Sequence, residues 1–132
     1  MFMGLVVDTS VIISVLINEK SKNKLIRVTK GEDLIAPVSL HWEIGNAFSA
    51  MIKKKRIDKK TAEEALSYYR RIALRLVTVD LRKSVEIAYK HNIYAYDAYF
   101  LECAINYNLP LITLDEKLAD IAAEMNIKII EV

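Results

Sequence analysis

The feature that most constrains the fold is a short apolar run near the start of the chain that ends at an acidic residue. Leu5, Val6 and Val7 are followed directly by Asp8. Such a run is typical of a strand buried on both faces of a parallel sheet. Open α/β sheets bind ligands in the crevice beyond the carboxyl ends of their strands. Asp8 therefore has either a role in ligand binding or the common role of N-cap for the next helix.

Length and composition indicate one globular domain. The chain has 132 residues, of which 53% are apolar and 27% charged, with only 3 Gly and 2 Pro. A chain of this size buries about two-thirds of its unfolded surface in a single core. Its composition is that of a compact protein rather than a disordered one. We therefore expect residues 1–132 to form a single domain.

Cysteine usage and hydropathy favour a cytoplasmic protein. The single cysteine, Cys103, excludes an internal disulfide, and its position between Leu101 and Ile105 predicts a small buried hydrophobe rather than a nucleophile. No apolar stretch reaches the roughly 18 residues of a membrane span. A signal peptide is not expected, because no basic region precedes the first apolar run.

Strand and helix patterns alternate along the chain. Strands are predicted at 5–7, 34–36, 76–79 and 109–114, with a closing strand through 127–130. Helices are predicted at about 10–16, 21–30, 39–54, 81–91, 96–107 and 116–125, and Ser39 is the expected N-cap of the third. A further helix begins at Asp58, or at a capping box of Thr61 and Glu64. This alternation predicts an α/β fold, a three-layer α/β/α sandwich with a central parallel sheet.

Four of the 17 acidic residues interrupt apolar sequence. Asp8 and Asp115 each follow a predicted strand, and Glu43 and Asp97 lie in the first turns of helices. Strand ends and the helix starts that follow them share one edge of a parallel sheet, so we expect the four carboxylates to converge. Such carboxylates repel one another and resist desolvation. A hard divalent cation, Mg²⁺ or Mn²⁺, would resolve this conflict.

The two histidines are not expected to be metal ligands. His41 and His91 are the only histidines of the chain, and neither lies at a predicted strand end. We interpret both as surface or packing residues.

Charge is divided unevenly along the chain. Residues 1–90 hold 17 of the 19 Lys and Arg with a net charge of +7, and residues 91–132 have a net charge of −5. This asymmetry indicates an anionic partner, although a solvated helix face is the alternative for any one cluster. The two densest basic clusters are Lys53-Lys54-Lys55-Arg56 and the group of Arg70, Arg71 and Arg75.

Four short segments resemble the signature positions of PIN-domain ribonucleases. They are Asp8-Thr9-Ser10, Glu43 with Asn46 one turn on, Tyr96-Asp97-Ala98 and Thr113-Leu114-Asp115. The resemblance spans essentially the whole chain, and the size of the chain makes it most similar to the VapC-type toxins of toxin–antitoxin pairs.

The resemblance implies a metal-dependent endoribonuclease that hydrolyses RNA phosphodiester bonds. Four acids would be both catalytic and ligands of Mg²⁺ or Mn²⁺: Asp8, Glu43, Asp97 and Asp115. Three polar residues would support them: Ser10, Asn46 and Thr113. The basic cluster of Lys53, Lys54, Lys55 and Arg56 would then bind RNA.

The resemblance also implies two protein partners. One is a cognate VapB-like antitoxin that covers the site, and the other is a second copy of the chain in a homodimer. We expect the helices around Phe48 and Tyr68-Tyr69 to supply exposed apolar residues for these contacts.

Two alternatives to a PIN ribonuclease depend on the pattern of acidic residues. Phosphotransfer enzymes of the haloacid dehalogenase type also begin with a strand-end Asp, but they use D-x-D, and Ser10 stands at the second position. A degenerate, non-catalytic PIN scaffold that binds RNA or protein would not require intact acids at all four positions.

Overall fold

The centre of the fold is a parallel sheet. The computed structural model describes residues 4–17 and 20–132. In that part of the chain four strands form one sheet: β1 (Gly4–Val7), β2 (Asp33–Pro37), β3 (Leu74–Val77) and β4 (Leu111–Ile112). They are ordered β3-β2-β1-β4, and all three neighbouring pairs are parallel. With helices packed around this sheet, the predicted α/β sandwich is confirmed.

Helices connect and cover the strands. Those in the described residues are α1 (Thr9–Leu16), α2 (Lys22–Thr29), α3 (Ser39–Lys53), α4 (Lys59–Tyr69), α5 (Leu81–His91), α6 (Ala95–Tyr107) and α7 (Glu116–Glu124). None of the described helices is long and apolar enough to cross a lipid bilayer. The chain passes from β1 through β2 to β3 on one side and places β4 on the other side of β1, so the topological switch point lies between β1 and β4.

Aspartates determine where several helices begin. Asp58 and Asp80 are the N-caps of α4 and α5, and each side chain accepts a hydrogen bond from the backbone N–H three residues on. The Asp58 cap settles the start of α4, because Thr61 donates its N–H to Asp58 at 2.7 Å and lies inside the helix. The Thr61 capping box is therefore wrong.

The core is built on β1 and α6. Leu5, Val6 and Val7 are almost fully buried, as their apolar run predicts for a central strand. Cys103 on α6 is also buried, and this burial raises the pKa of its thiol to about 12. The thiol therefore stays protonated and packs as a small hydrophobe. Phe48 itself is only 2% exposed, but the helices around it and around Tyr68 do expose apolar side chains, such as Trp42 at 72% and Tyr68 at 60%.

Strand boundaries depart from the sequence patterns where pairing overrides local preference. β3 begins at Leu74 rather than 76, because its four residues pair in register with β2 from Leu34↔Leu74 to Pro37↔Val77. β4 has two residues rather than six. The predicted closing strand is reduced to one bridge, Leu111↔Ile129.

The start of α3 also differs from the prediction. Val38 is the cap residue, and Ser39 is already the first residue of the helix. The cause lies in the sheet, because the Val38 N–H still donates to the carbonyl oxygen of Val77 at 2.8 Å. The chain therefore turns directly from strand pairing into the helix, without a side-chain cap.

Candidate active site

Asp8 is the buried centre of the acidic edge. Its side chain is 5% exposed and lies just beyond β1. Oδ1 accepts hydrogen bonds from the Val11 N–H at 3.2 Å and the Ser10 hydroxyl at 2.6 Å, and Oδ2 accepts one from the Thr113 hydroxyl. Burial raises the pKa of Asp8, whereas the three hydrogen bonds oppose the shift. Asp8 is thus the N-cap of α1 as well as a member of the acidic group.

The Ser10 and Thr113 hydroxyls join Asp8 to the segment after β4. Ser10 Oγ accepts a hydrogen bond from the Leu114 N–H at 3.0 Å. Thr113 Oγ1 accepts one from the Asp115 N–H, also at 3.0 Å. Each hydroxyl therefore both donates to the buried carboxylate and accepts from a backbone N–H of the segment after β4. Two of the four hydrogen bonds, Thr113 to Asp8 and Leu114 to Ser10, connect the two segments and fix the end of β4 relative to Asp8.

Asp115 is the exposed counterpart of Asp8 on the other side of the switch point. It is the N-cap of α7, where its Oδ1 accepts a hydrogen bond from the Leu118 N–H at 3.2 Å. Its negative charge contributes to raising the pKa of Asp8 and that of Asp97. The three aspartates therefore lie within electrostatic reach of one another.

Glu43 brings a fourth carboxylate to this edge from the first turns of α3. Its Oε1 accepts a hydrogen bond from the Thr9 hydroxyl at 3.2 Å, whereas its Oε2 is buried without a hydrogen-bond partner. Burial raises the pKa of Glu43 to about 7, and the charges of Asp97 and Asp8 add to the rise. The hydroxyls of Thr9 and Ser39 oppose this shift, and the Ser39 hydroxyl, which is also buried without another partner, lies close enough to Glu43 to act on it.

Asp97 lies in the first turn of α6 and is half-buried. Burial raises its pKa, Asp115 raises it further, and the positive charge of Lys117 lowers it. Lys117 and Asp97 line one cavity of about 350 Å³, together with Asn92, Ile93 and Tyr94. The structure thus places a cation beside the acids where the sequence analysis assigned none. The available signal was the position of Lys117 in the first turn of α7, two residues after Asp115.

Asn46 lies near Glu43 but makes no hydrogen bond with it. Both residues line a second cavity, of about 430 Å³, with Thr9, Trp42, Ala47 and Tyr96. The hydrogen bond to Glu43 comes from Thr9, the residue after Asp8, which the sequence analysis did not single out. Thr9 orients Glu43 in this conformation, and the supporting role of Asn46 stays a prediction.

Comparison with known proteins assigns the family. The family model of the PIN domain matches residues 5–124. The chain belongs to the PIN domain family. No curated protein sequence matches it.

Solved structures share the fold of this PIN domain at low sequence identity. FitAcB from Neisseria gonorrhoeae is 16% identical with a TM-score of 0.69, and the match covers 96% of each chain. VapBC2 from Rickettsia felis, bound to a DNA fragment from their promoter, is 15% identical with a TM-score of 0.66 and covers 97% of this chain and 98% of that one. VapC20 from Mycobacterium tuberculosis, a sarcin-ricin loop cleaving toxin, is 12% identical with a TM-score of 0.63 and covers 89% of this chain and 94% of that one.

The basic cluster does not lie at the acidic edge of this PIN domain. Lys53, Lys54, Lys55 and Arg56 are exposed at the carboxyl end of α3. About ten residues of helix, roughly 15 Å, separate them from Glu43. Because α3 follows a parallel strand and runs back along the sheet, the cluster lies toward the opposite edge.

The two histidines contact other side chains. His41 Nδ1 lies 3.1 Å from the Tyr69 hydroxyl, and its ring packs against Trp42. His91 Nδ1 lies 3.8 Å from Glu124 Oε2. These contacts match the packing and surface roles expected of them.

The chemistry of the acidic edge suits a hard divalent cation. Its donors are oxygens only, and the charges of Asp8 and Asp97 lie near enough to Glu43 to raise its pKa. As the side chains stand, no set of three or more His, Cys, Asp or Glu within residues 4–17 and 20–132 is arranged to hold a metal ion. Like charges keep carboxylates apart, so binding would require their side chains to rotate inward.

Proposed function

We propose that this PIN domain is a divalent-metal-dependent endoribonuclease and the toxin of a toxin–antitoxin pair. The observation that supports the nuclease most directly is the electrostatic coupling of Asp8, Glu43, Asp97 and Asp115 at one sheet edge, with Glu43 Oε2 buried and unpartnered. Assembling such a group costs folding free energy, so its presence is explained by chemistry rather than stability.

The four carboxylates would hold Mg²⁺ or Mn²⁺. Such an ion acidifies a water molecule and offsets the negative charge that develops on phosphate oxygens during hydrolysis. The hydrogen bonds from Ser10 and Thr113 favour the ionised form of Asp8 and fix its orientation. The Thr9 hydroxyl does the same for one oxygen of Glu43.

Different side chains would contribute to different parts of phosphodiester hydrolysis. Glu43, whose affinity for protons is raised by burial in the metal-free protein, would accept a proton from the attacking water. The water oxygen would bond to phosphorus as the bond to the ribose oxygen breaks, and the leaving ribose oxygen would take a proton from solvent water. Lys117, in the cavity beside Asp97, would bind a phosphate oxygen and favour the entry of a polyanion into an acidic site.

Two protein partners belong to this proposal. VapBC2 is a toxin–antitoxin complex by name, which supports a VapB-like antitoxin for this chain. A homodimer is supported by an apolar stripe on α5, where Leu81, Val85 and Tyr89 recur at four-residue spacing and are 64%, 53% and 90% exposed. If the stripe is the dimer contact, Val85→Lys should yield monomers by light scattering.

The nuclease is tested by incubating the purified protein with total RNA in Mg²⁺ or Mn²⁺, with and without EDTA, and sequencing the fragment ends. We expect cleavage that requires the metal and is lost in Asp97→Asn. RNA binding without cleavage under every metal condition would instead identify a non-catalytic PIN scaffold. Cleavage that persists in Asp97→Asn would indicate a contaminating nuclease.

A further inference from the structure

The cavity beside Glu43 has two exposed aromatic walls. Trp42 is 72% exposed and Tyr96 is 60% exposed, and both line the cavity of about 430 Å³ that also contains Glu43 and Asn46. Each ring belongs to the residue directly before a site acid, Trp42 before Glu43 and Tyr96 before Asp97. The two helix starts that deliver carboxylates to the site therefore deliver aromatic rings beside them.

Both rings are braced by neighbours although they are open to solvent. The Trp42 ring makes an edge-to-face contact with His41, with centroids 4.9 Å apart, and His41 is itself hydrogen-bonded to Tyr69. The Tyr96 ring makes a similar contact with Tyr99 at 6.0 Å. Leaving such large apolar surfaces in water brings no folding free energy. Held in place but uncovered, the rings are suited to stacking against a planar ligand.

We propose that Trp42 and Tyr96 form a base pocket, in which a nucleobase adjacent to the cleaved phosphate stacks on their rings. This inference rests on the proposed nuclease function and names residues that position its substrate. Every nucleobase offers a π-face, and base stacking on aromatic side chains is a general mode of binding unpaired nucleotides.

The polar groups around the rings favour a nucleotide over an apolar peptide segment. The Asn46 amide and the Thr9 hydroxyl line the same cavity and can bond to base edges and sugar hydroxyls. Trp42 also lines an adjoining cavity of about 490 Å³, whose charged lining residues are Arg70 and Glu63. An RNA strand whose base stacks on Trp42 would therefore have Arg70 near its next phosphate on one side and the carboxylates on the other side.

Trp42 is the only tryptophan of the chain, so its fluorescence reports directly on the pocket. The measurement uses Asp97→Asn protein, which should not cleave, titrated with an oligoadenylate of about ten nucleotides and with an abasic oligomer of the same backbone length. We expect saturable quenching by the oligoadenylate at concentrations at least about 5-fold lower than any effect of the abasic oligomer. Equal quenching by the two would mean that only the backbone is bound, and the pocket would be wrong.

Cleavage kinetics provide the second measurement. Trp42→Leu and Tyr96→Leu remove a ring, and each should raise KM roughly 5- to 150-fold, the loss of one base–aromatic stack. Trp42→Phe and Tyr96→Phe keep a ring and should recover most of that loss. Tyr68→Leu is the matched control, because Tyr68 is also 60% exposed but lies outside both cavities.

The outcomes separate this inference from the proposed function. If the wild-type protein does not cleave RNA with Mg²⁺ or Mn²⁺, the nuclease proposal fails, and the fluorescence comparison still decides whether a base is bound. If the wild-type protein cleaves and both Leu variants keep its KM, the base pocket alone is overturned. Trp42 fluorescence that changes with protein concentration but not with oligonucleotide would show that a second copy covers the ring, which also overturns it.

Discussion

The Thr113 hydroxyl donates a hydrogen bond to Oδ2 of Asp8 across 105 positions of sequence, and Thr113 Oγ1 in turn accepts a hydrogen bond from the N–H of Asp115. One hydroxyl thus links two acids that flank the switch point between β1 and β4. Its loss leaves a buried carboxylate oxygen without a donor and a backbone N–H without an acceptor.

Thr113→Val should therefore destabilise the protein by about 1–3 kcal/mol, the cost of leaving buried polar groups unsatisfied. It should also lower RNA cleavage, because Asp8 loses a hydrogen bond that favours its ionised form. Urea denaturation in EDTA measures the first effect. The control is Thr78→Val, the same change at an exposed position. Equal stability of the two variants would contradict a structural role for the Thr113 hydroxyl.

Asp97→Asn should abolish cleavage, by at least about 100-fold, without weakening the metal-free fold. The reason is that Asp97 is half-buried beside Asp115, so the change removes a repelling charge and a desolvation cost. Thermal unfolding in EDTA should give an equal or higher Tm. Adding Mn²⁺ should then raise the Tm of the wild type more than that of the variant.

The exposed change Glu64→Gln on α4 is the control for Asp97→Asn, and it should alter neither activity nor the Mn²⁺ response. A large loss of Tm in metal-free Asp97→Asn would mean that this carboxylate stabilises the fold, and the like-charge argument would fail.

The stability of the metal-free protein should fall as pH rises from about 5 to about 8. Folding raises the pKa of Glu43 from 4.5 to about 7, so the folded state favours its protonated form. This contribution is fully present below the unfolded pKa and is lost as pH rises through the folded value. Glu43→Gln should flatten the profile of Tm against pH measured in EDTA. If the substitution leaves the profile of Tm against pH unchanged, a group other than Glu43 must titrate in this pH range.

The salt dependence of RNA binding should test two candidate cationic surfaces, Lys117 and the basic cluster at the end of α3. Each phosphate contact lowers binding by roughly 0.7 log unit per log unit of salt for a single strand. Lys117→Gln should remove about one such contact and lower kcat/KM, because Lys117 lines a cavity with Asp97.

Replacing Lys53, Lys54, Lys55 and Arg56 together with Gln should also flatten the salt dependence and weaken RNA binding, while changing cleavage at saturating RNA much less. The cluster stands about 15 Å from Glu43, a distance that a few nucleotides span. An unchanged salt slope in the quadruple variant would rule out these residues and direct attention to Arg70, which lines the cavity beside Trp42.

The sequence was sufficient to predict elements whose ends are determined by nearby residues. Unbroken apolar residues predicted β1, and α5 has the predicted bounds because Asp80 caps its start and Asn92 ends it in a left-handed conformation. The position of Asp8 at the end of β1 followed from the same pattern, whereas Asp115 lies three residues beyond the end of β4 and not directly after it as predicted. Each of these features depends on neighbours a few residues away.

Features that depend on contacts between residues far apart in sequence could not be predicted. The run from Leu74 to Val79 is β-prone throughout, and only pairing with β2 selects its first four residues as β3. Pro110 cannot donate a hydrogen bond, and its carbonyl oxygen accepts the Val6 N–H, so β4 begins after it. The bond from Thr9 to Glu43 and the approach of Lys117 to Asp97 likewise require helices to be packed first.

The placement of β4 on the far side of β1 has a consequence for synthesis of the chain. A ribosome makes Asp8 more than a hundred residues before Thr113 and Asp115, and β4, which precedes these two residues, must emerge and pair before the acids meet. Amino-terminal segments that fold early during translation therefore lack half of the acidic group. If the acidic group cleaves RNA as proposed, a nascent chain stays inactive until β4 has docked.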